Sequence, residues 1–129
     1  SSLALGADFA YMGTRFIATK EANADEGYKQ MLIDSAADDI VYSSLFTGVS
    51  GNYLKPSIKN AGLDPDNLPE ADKSSMNFGS GGNTDAKAWK DIWGSGQGIG
   101  GIKDDPSVED LVTRLKEEYN KAKVEFNEK

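Results

Sequence analysis

The residues best suited to chemistry lie near the start of the chain, where Gly13 and Thr14 follow the compact run Phe9-Ala10-Tyr11-Met12 and precede Arg15. A glycine takes backbone angles closed to other residues and lets a ligand approach the main chain, so the amides of Gly13 and Thr14 can both point at an anion. The Thr14 hydroxyl adds a donor, and a helix beginning near Thr14 would add its dipole. Arg15 would either add long-range attraction or pair with an acidic neighbour outside the site. The arrangement suits a phosphate.

Such a turn needs a rigid element ahead of it. The run from Phe9 to Met12 is largely apolar and reads as a strand buried on both faces, fed by the turn Gly6-Ala7-Asp8. Upstream, Ser1-Ser2-Leu3-Ala4-Leu5-Gly6 reads as the last turn of a helix closed by a glycine, as expected of a C-terminal piece of a longer protein.

Downstream, Ala24, Tyr28, Met31, Leu32 and Ser35 fall at helical spacing with Asp25, Glu26, Lys29 and Asp34 between them, predicting an amphipathic helix over residues 24–36. Asp39 to Phe46 is rich in β-branched and aromatic residues and reads as an extended segment closed by Thr47-Gly48-Val49-Ser50-Gly51. Tyr53 to Gly62 predicts a short helix with Pro56 in its first turn and Gly62 as its stop. From Leu63 to Asn83, including Gly79-Ser80-Gly81-Gly82, no period of either kind appears, which predicts a long ordered loop. Asp85, Ala86, Ala88, Trp89, Ile92 and Trp93 suggest another helix. Val108, Leu111, Val112, Leu115, Tyr119, Ala122 and Phe126 recur at three and four and define a C-terminal helix. Asp105 can cap it with Pro106 at the first helical position, or Ser107 can cap it with Asp110 three residues later.

Three further patterns have plainer readings. Gly96-Gln97-Gly98-Ile99-Gly100-Gly101 satisfies G-x-G-x-x-G, with the acidic Glu117 further on, but no strand precedes it and it leads into Lys103-Asp104-Asp105-Pro106 rather than a helix. A turn that needs glycine suffices. Asp64, Asp66, Asn67 and Glu70 are spaced like calcium ligands, yet Leu68 and Pro69 stand at the fifth and sixth positions, the sixth requiring glycine, so they read as solvated loop carboxylates. Tyr42, Phe46 and Tyr53 either border an apolar pocket or form core.

Composition bounds the function classes. With 14 basic against 21 acidic residues the formal charge is −7, and the scattered cations argue against binding a nucleic-acid backbone. No apolar run reaches the length of a membrane span. There is no cysteine, hence no disulfide and no thiolate metal site, and the N-terminus shows no signal-peptide pattern, which makes a cytoplasmic location the default.

The sequence also resembles a known family. Ala4-Leu5-Gly6-Ala7-Asp8 and Met12-Gly13-Thr14-Arg15-Phe16 resemble the eighth strand and phosphate-gripping turn of the nitronate monooxygenases, formerly 2-nitropropane dioxygenases. The resemblance continues through Thr19-Lys20-Glu21-Ala22, Ser44-Leu45-Phe46-Thr47-Gly48-Val49 and Trp93-Gly94-Ser95-Gly96-Gln97-Gly98-Ile99-Gly100. It implies an α/β fold, the C-terminal portion of a flavin-binding (β/α)8 TIM barrel, here mainly helical with one or two short strands. A complete barrel takes about 250 residues, so this chain of 129 can hold half at most. On this reading residues 1–129 are one partial domain. Residues 1–23 are its last strand and phosphate turn; 24–62 hold a helix, the extended segment and a short helix; 63–83 the loop; 84–129 a helix, the glycine-rich turn and the terminal helix.

The resemblance further implies FMN as cofactor, held here by Met12, Gly13 and Thr14, and oxidation of a nitronate or nitroalkane with molecular oxygen. The family's base is a histidine from an earlier strand, and this chain has no histidine, so no catalytic residue is assigned. Trp93 to Gly101 would pack near the mouth of the flavin site. The expected macromolecular partner is a second copy in a homodimer or a missing N-terminal half. A related flavin enzyme with the same turn, the enoyl-acyl-carrier-protein reductase, differs in pocket and electron source, and the Leu63 to Asn83 insertion looks more like the monooxygenase. An inert acidic fragment or interaction module that binds no flavin is the third reading.

Overall fold

The structure, a computed structural model, describes residues 2–68 and 90–128. The loop expected beyond Leu68 and the helix expected from Asp85 up to Trp89 lie outside those residues. The chain divides into two compact units, one made of residues 1–33 and 102–129 and the other of residues 34–101.

The first unit opens on a turn that ends as its sequence predicts. The Gly6 amide donates to Leu3 O at 3.0 Å and the Ala7 amide to Ser2 O at 3.1 Å, with Gly6 at φ +94°. This is the pair of bonds that closes a helix through a left-handed glycine. Helix α1 (Thr14–Ile17) starts where expected but is a single turn, so its dipole adds little to an anion site. Helix α2 (Glu26–Asp34) begins after Asp25, whose Oδ1 accepts the Gly27 amide at 2.7 Å and whose carbonyl accepts those of Tyr28 and Lys29. Leu32 and Ser35 are buried as the period requires.

Lys29 departs from expectation. Placed among the solvated charges by sequence, it is 4% exposed, with Nζ 3.3 Å from Glu26 Oε1. A four-carbon stem can lie along apolar surface while its ammonium reaches a carboxylate at the edge, which the spacing of charges does not reveal.

Helix α4 (Val108–Asn127) carries the C-terminal stripe, and the choice of cap resolves to Ser107, whose Oγ accepts the Asp110 amide at 3.1 Å and donates to Asp110 Oδ2 at 2.7 Å. The stripe is used unevenly. Leu111 is buried and Val108, Val112 and Leu115 are half-buried, whereas Tyr119, Ala122 and Phe126 are exposed. Periodicity defines a face without saying how far along the helix that face is covered.

In the second unit a 3-10 turn (Ala37–Asp39) leads into β1 (Ile40–Ser43), which pairs antiparallel with β2 (Gly51–Leu54) in the register Ile40↔Leu54, Val41↔Tyr53, Tyr42↔Asn52 and Ser43↔Gly51. The second strand was not visible in the sequence, where Tyr53 and Leu54 read as the start of a helix. That helix, α3 (Lys55–Asn60), begins one residue after β2 with Pro56 in its first turn. It ends through Gly62 at φ +84°, with the Gly62 and Leu63 amides donating to Lys59 O and Ile58 O.

A third stretch lies along the free edge of β2. The Leu54 amide donates to Trp93 O at 2.8 Å and the Ser95 amide to Asn52 O at 3.2 Å, around a bridge between Tyr53 and Gly94. A Cβ on Gly94 would stand 3.3 Å from Asn52 O, so the contact leaves little room for a side chain there. Ser57, fully buried, donates to Leu54 O at 2.8 Å and accepts the Trp93 amide at 3.0 Å. Leu54, Ile58, Ile92 and Ile99 are buried apolar residues among the described residues of this unit.

Candidate phosphate-binding turn

The strand expected at Phe9 to Met12 is not formed. The segment has no regular structure, with Phe9 90%, Tyr11 101% and Met12 47% exposed. A strand buried on both faces needs hydrogen-bonded neighbours and covering layers, and among the described residues no strand lies beside this one. The residue set is fit for burial, but none of the described residues pairs with it as a strand.

The turn itself is built as the sequence suggests, in part. Gly13 is the N-cap of α1, exposed, at φ −105° and ψ −62°, and its carbonyl accepts the Phe16 and Ile17 amides. A Cβ placed on Gly13 would meet nothing within 4 Å among the described residues. The main chain there is open on the side where a side chain would stand, and the first amides of a helix have no intrahelical acceptor. Thr14 is half-buried, and Met12 borders the turn at the end of the extended segment. The open backbone at Gly13 therefore leaves room for one anionic group to lie against it.

Arg15 takes the role of ion-pair partner. Its guanidinium donates to Asp104 Oδ1 at 2.9 Å, to Asp104 O at 3.3 Å and to Ala18 O at 3.0 Å, and its side chain is only 14% exposed. From the other side Arg114 of α4 grips the same carboxylate with two bonds, of 2.9 and 2.8 Å. Hydrogen bonding from Arg114, with the charges of both arginines, lowers the Asp104 carboxyl below its ordinary pKa, and the same pairing raises Arg114. Two more bonds join these stretches: the Lys20 amide donates to Pro106 O at 3.1 Å, and both Glu21 carboxylate oxygens accept the Val108 amide at 3.0 Å. A carboxylate at the first amide of a helix satisfies an orphan donor and complements the dipole.

Asp104, Arg114 and Glu21 were missed as positions of interest. Arg15 and Asp104 are 89 residues apart, as are nearly Glu21 and Val108, and no local period links them. The only trace was that the acidic-neighbour reading of Arg15 required some carboxylate.

The other candidates sort themselves in the second unit. Gly96 to Gly101 holds a 3-10 turn (Gln97–Gly101) around buried Ile99 and does not open into a helix, so the dinucleotide pattern lacks its structural context. A Cβ on Gly98, Gly100 or Gly101 would meet nothing within 4 Å among the described residues. Asp64 turns the chain, accepting the Asp66 amide through Oδ1, and Asp66 pairs with Lys55 at 3.4 Å. Among the described residues no group of three or more acidic side chains is placed to hold a metal. Phe46 and Tyr53, both half-buried, pack edge to face with ring centres 4.9 Å apart. Tyr42 is exposed and lines, with Val41, Ser43, Ser44, Pro65 and Asp66, a cavity of about 330 Å³. No described helix is long and apolar enough to cross a membrane.

One unit holds an open glycine turn braced against a helix and the other a hairpin with short helices, and the chain has solved counterparts. Two FabK structures from Thermotoga maritima, one of a point mutant, superpose on 98% of this chain with TM-scores of 0.65 and 0.62 at 18% identity. The chain spans 38% and 41% of their lengths. The family model described as nitronate monooxygenase matches residues 1–118, and the chain belongs to that family. A nitronate monooxygenase of Paraburkholderia phytofirmans is 35% identical over 65 residues, which take in 50% of this chain and 18% of that protein.

Proposed function

We propose that this chain provides the phosphate-gripping end of an FMN-dependent oxidoreductase, built as a (β/α)8 barrel, that oxidises nitronates or nitroalkanes with molecular oxygen in the cytoplasm. The observation that carries the reading is the open, exposed Gly13 at the head of α1 in a chain whose family match spans residues 1–118. The amides at Gly13 and Thr14 would hold the phosphate, with Met12 at the end of the last barrel strand. Bound there, the flavin would supply two-electron oxidation of the substrate and reoxidation by oxygen. Residues of this chain bind and orient the group; with no histidine, the chain contributes no imidazole base.

The test is Gly13→Val in the full chain. At φ −105° a β-branched residue is not strained and its Cβ meets no described atom, so the substitution crowds a ligand without crowding the fold. Flavin should be lost while the melting temperature of the flavin-free protein stays put. Undiminished flavin content sinks the assignment. Oxygen uptake driven by a short nitronate separates this activity from the enoyl-acyl-carrier-protein reductase alternative, which would consume a reduced nicotinamide instead. A full chain that takes up no flavin at all would favour the interaction-module reading.

A further inference from the structure

We infer that Asp104 is a positioning residue for the phosphate turn: by holding Arg15 and Arg114 together it fixes the Gly13–Thr14 backbone against α4, so that phosphate affinity depends on a carboxylate that never touches the ligand. This rests on the phosphate reading of the turn.

The geometry is specific. Arg15 directly follows Thr14, and its bonds to Ala18 O and to both the carbonyl and the carboxylate of Asp104 point into the protein. A guanidinium so committed is not a ligand for the phosphate; it is the peg that sets where the turn sits. Asp104 can serve two arginines because a carboxylate offers four lone-pair directions, and here Oδ1 accepts from both while Oδ2 accepts from Arg114 alone. Arg114 lies in the second turn of α4, so the carboxylate ties a helix made of the last residues to a turn made of the first. The Lys20–Pro106 and Glu21–Val108 bonds continue the same seam and stop the two stretches from sliding. Backbone donors grip an anion well only when they are held in place beforehand, and displacement of a positioned group by a fraction of its contact distance costs affinity steeply.

The consequence is a coupling that ordinary structural support does not have: loosening the brace should damage recognition of the phosphate and spare the rest of the flavin. FMN and riboflavin differ by that phosphate. In the full chain, Asp104→Asn is expected to weaken FMN binding by about tenfold, read by quenching of flavin fluorescence, and to leave riboflavin affinity unchanged. Arg114→Gln, which leaves the Arg15–Asp104 pair in place, should give a smaller loss in the same direction, and it carries the test if Asp104→Asn does not fold. Equal losses for FMN and riboflavin would mean general destabilisation and overturn the proposal. So would unchanged FMN affinity, or tighter binding from an arginine set free to reach the ligand. Gly13→Val, run alongside, separates the two ideas: if it keeps its preference for FMN over riboflavin the phosphate turn is misplaced, whereas if it alone loses that preference the turn stands and the brace falls.

Discussion

Two stretches of the first unit, adjacent in sequence, have opposite fates. From Thr14 to Glu21 the chain is tied down: Ala18 and Thr19 are buried, the Thr19 hydroxyl donates to Phe16 O at 2.8 Å, and Arg15, Lys20 and Glu21 each bond to the segment around α4. From Phe9 to Met12, a few residues earlier, the side chains stand in solvent. The second stretch is the more apolar, so hydrophobicity does not decide which is held. What decides is whether the described residues offer each stretch the partners it needs. Side-chain bonds to a helix cap or carboxylate need one partner each, while a strand needs a neighbour's whole edge and a layer over each face.

The largest effect should come from putting that contrast to work in the core. Leu111→Ala removes a side chain that is 1% exposed and should cost about 3 kcal/mol in a denaturant titration. If the barrel reading holds, Phe9→Ala in the full chain should cost a similar amount, about 3 kcal/mol, because neighbouring strands would cover the ring. A cost within about 0.5 kcal/mol would mean that Phe9 stays exposed, and the barrel reading of this stretch would fail.

Next in size is the cap of α4. Ser107→Ala removes the acceptor of the Asp110 amide and should cost about 1 kcal/mol. Glu21 still receives the Val108 amide in that variant, so a double substitution with Glu21→Ala should exceed the sum of the singles if the two groups share the work of closing the helix end. Strict additivity would show that the seam is a set of independent bonds.

Legibility in the sequence followed the same division. Elements with local signals were placed closely: the period from Ala24 to Ser35 marked α2 to within two residues at each end, Ser107 with Asp110 was one of the two caps open for α4, and Gly6 and Gly62 marked the ends of turns, because a cap or a left-handed glycine acts within a few residues. The partner of β1 was not legible, since Gly51 to Leu54 is short, has one glycine, and takes its place from β1 on one side and Gly94 on the other. At the candidate site Gly13 and Thr14 could be picked out by residue type alone. Asp104 could not, because a carboxylate 89 residues from its arginine looks like any other surface charge until the chain folds.

The smallest expected effect is also the one that isolates the brace without changing its shape. Asp104 is half-exposed, so solvent screens its two pairs and their contribution to stability is modest. Its folded-state pKa lies below the ordinary 3.8, chiefly through hydrogen bonds from Arg114. For a carboxyl lowered by folding, the unfolded chain takes up the proton first as pH falls; the stabilisation is therefore fully present above the ordinary value and fades as pH drops through the lowered one. The melting temperature of the wild type should thus exceed that of Asp104→Asn at neutral pH, and the gap should close below about pH 4. Other carboxylates titrate in that range as well, but they do so in both proteins and cancel in the difference. A gap that persists undiminished at pH 3 would show that Asp104 supports the seam through shape and neutral hydrogen bonds, and that the charge it holds between Arg15 and Arg114 is incidental.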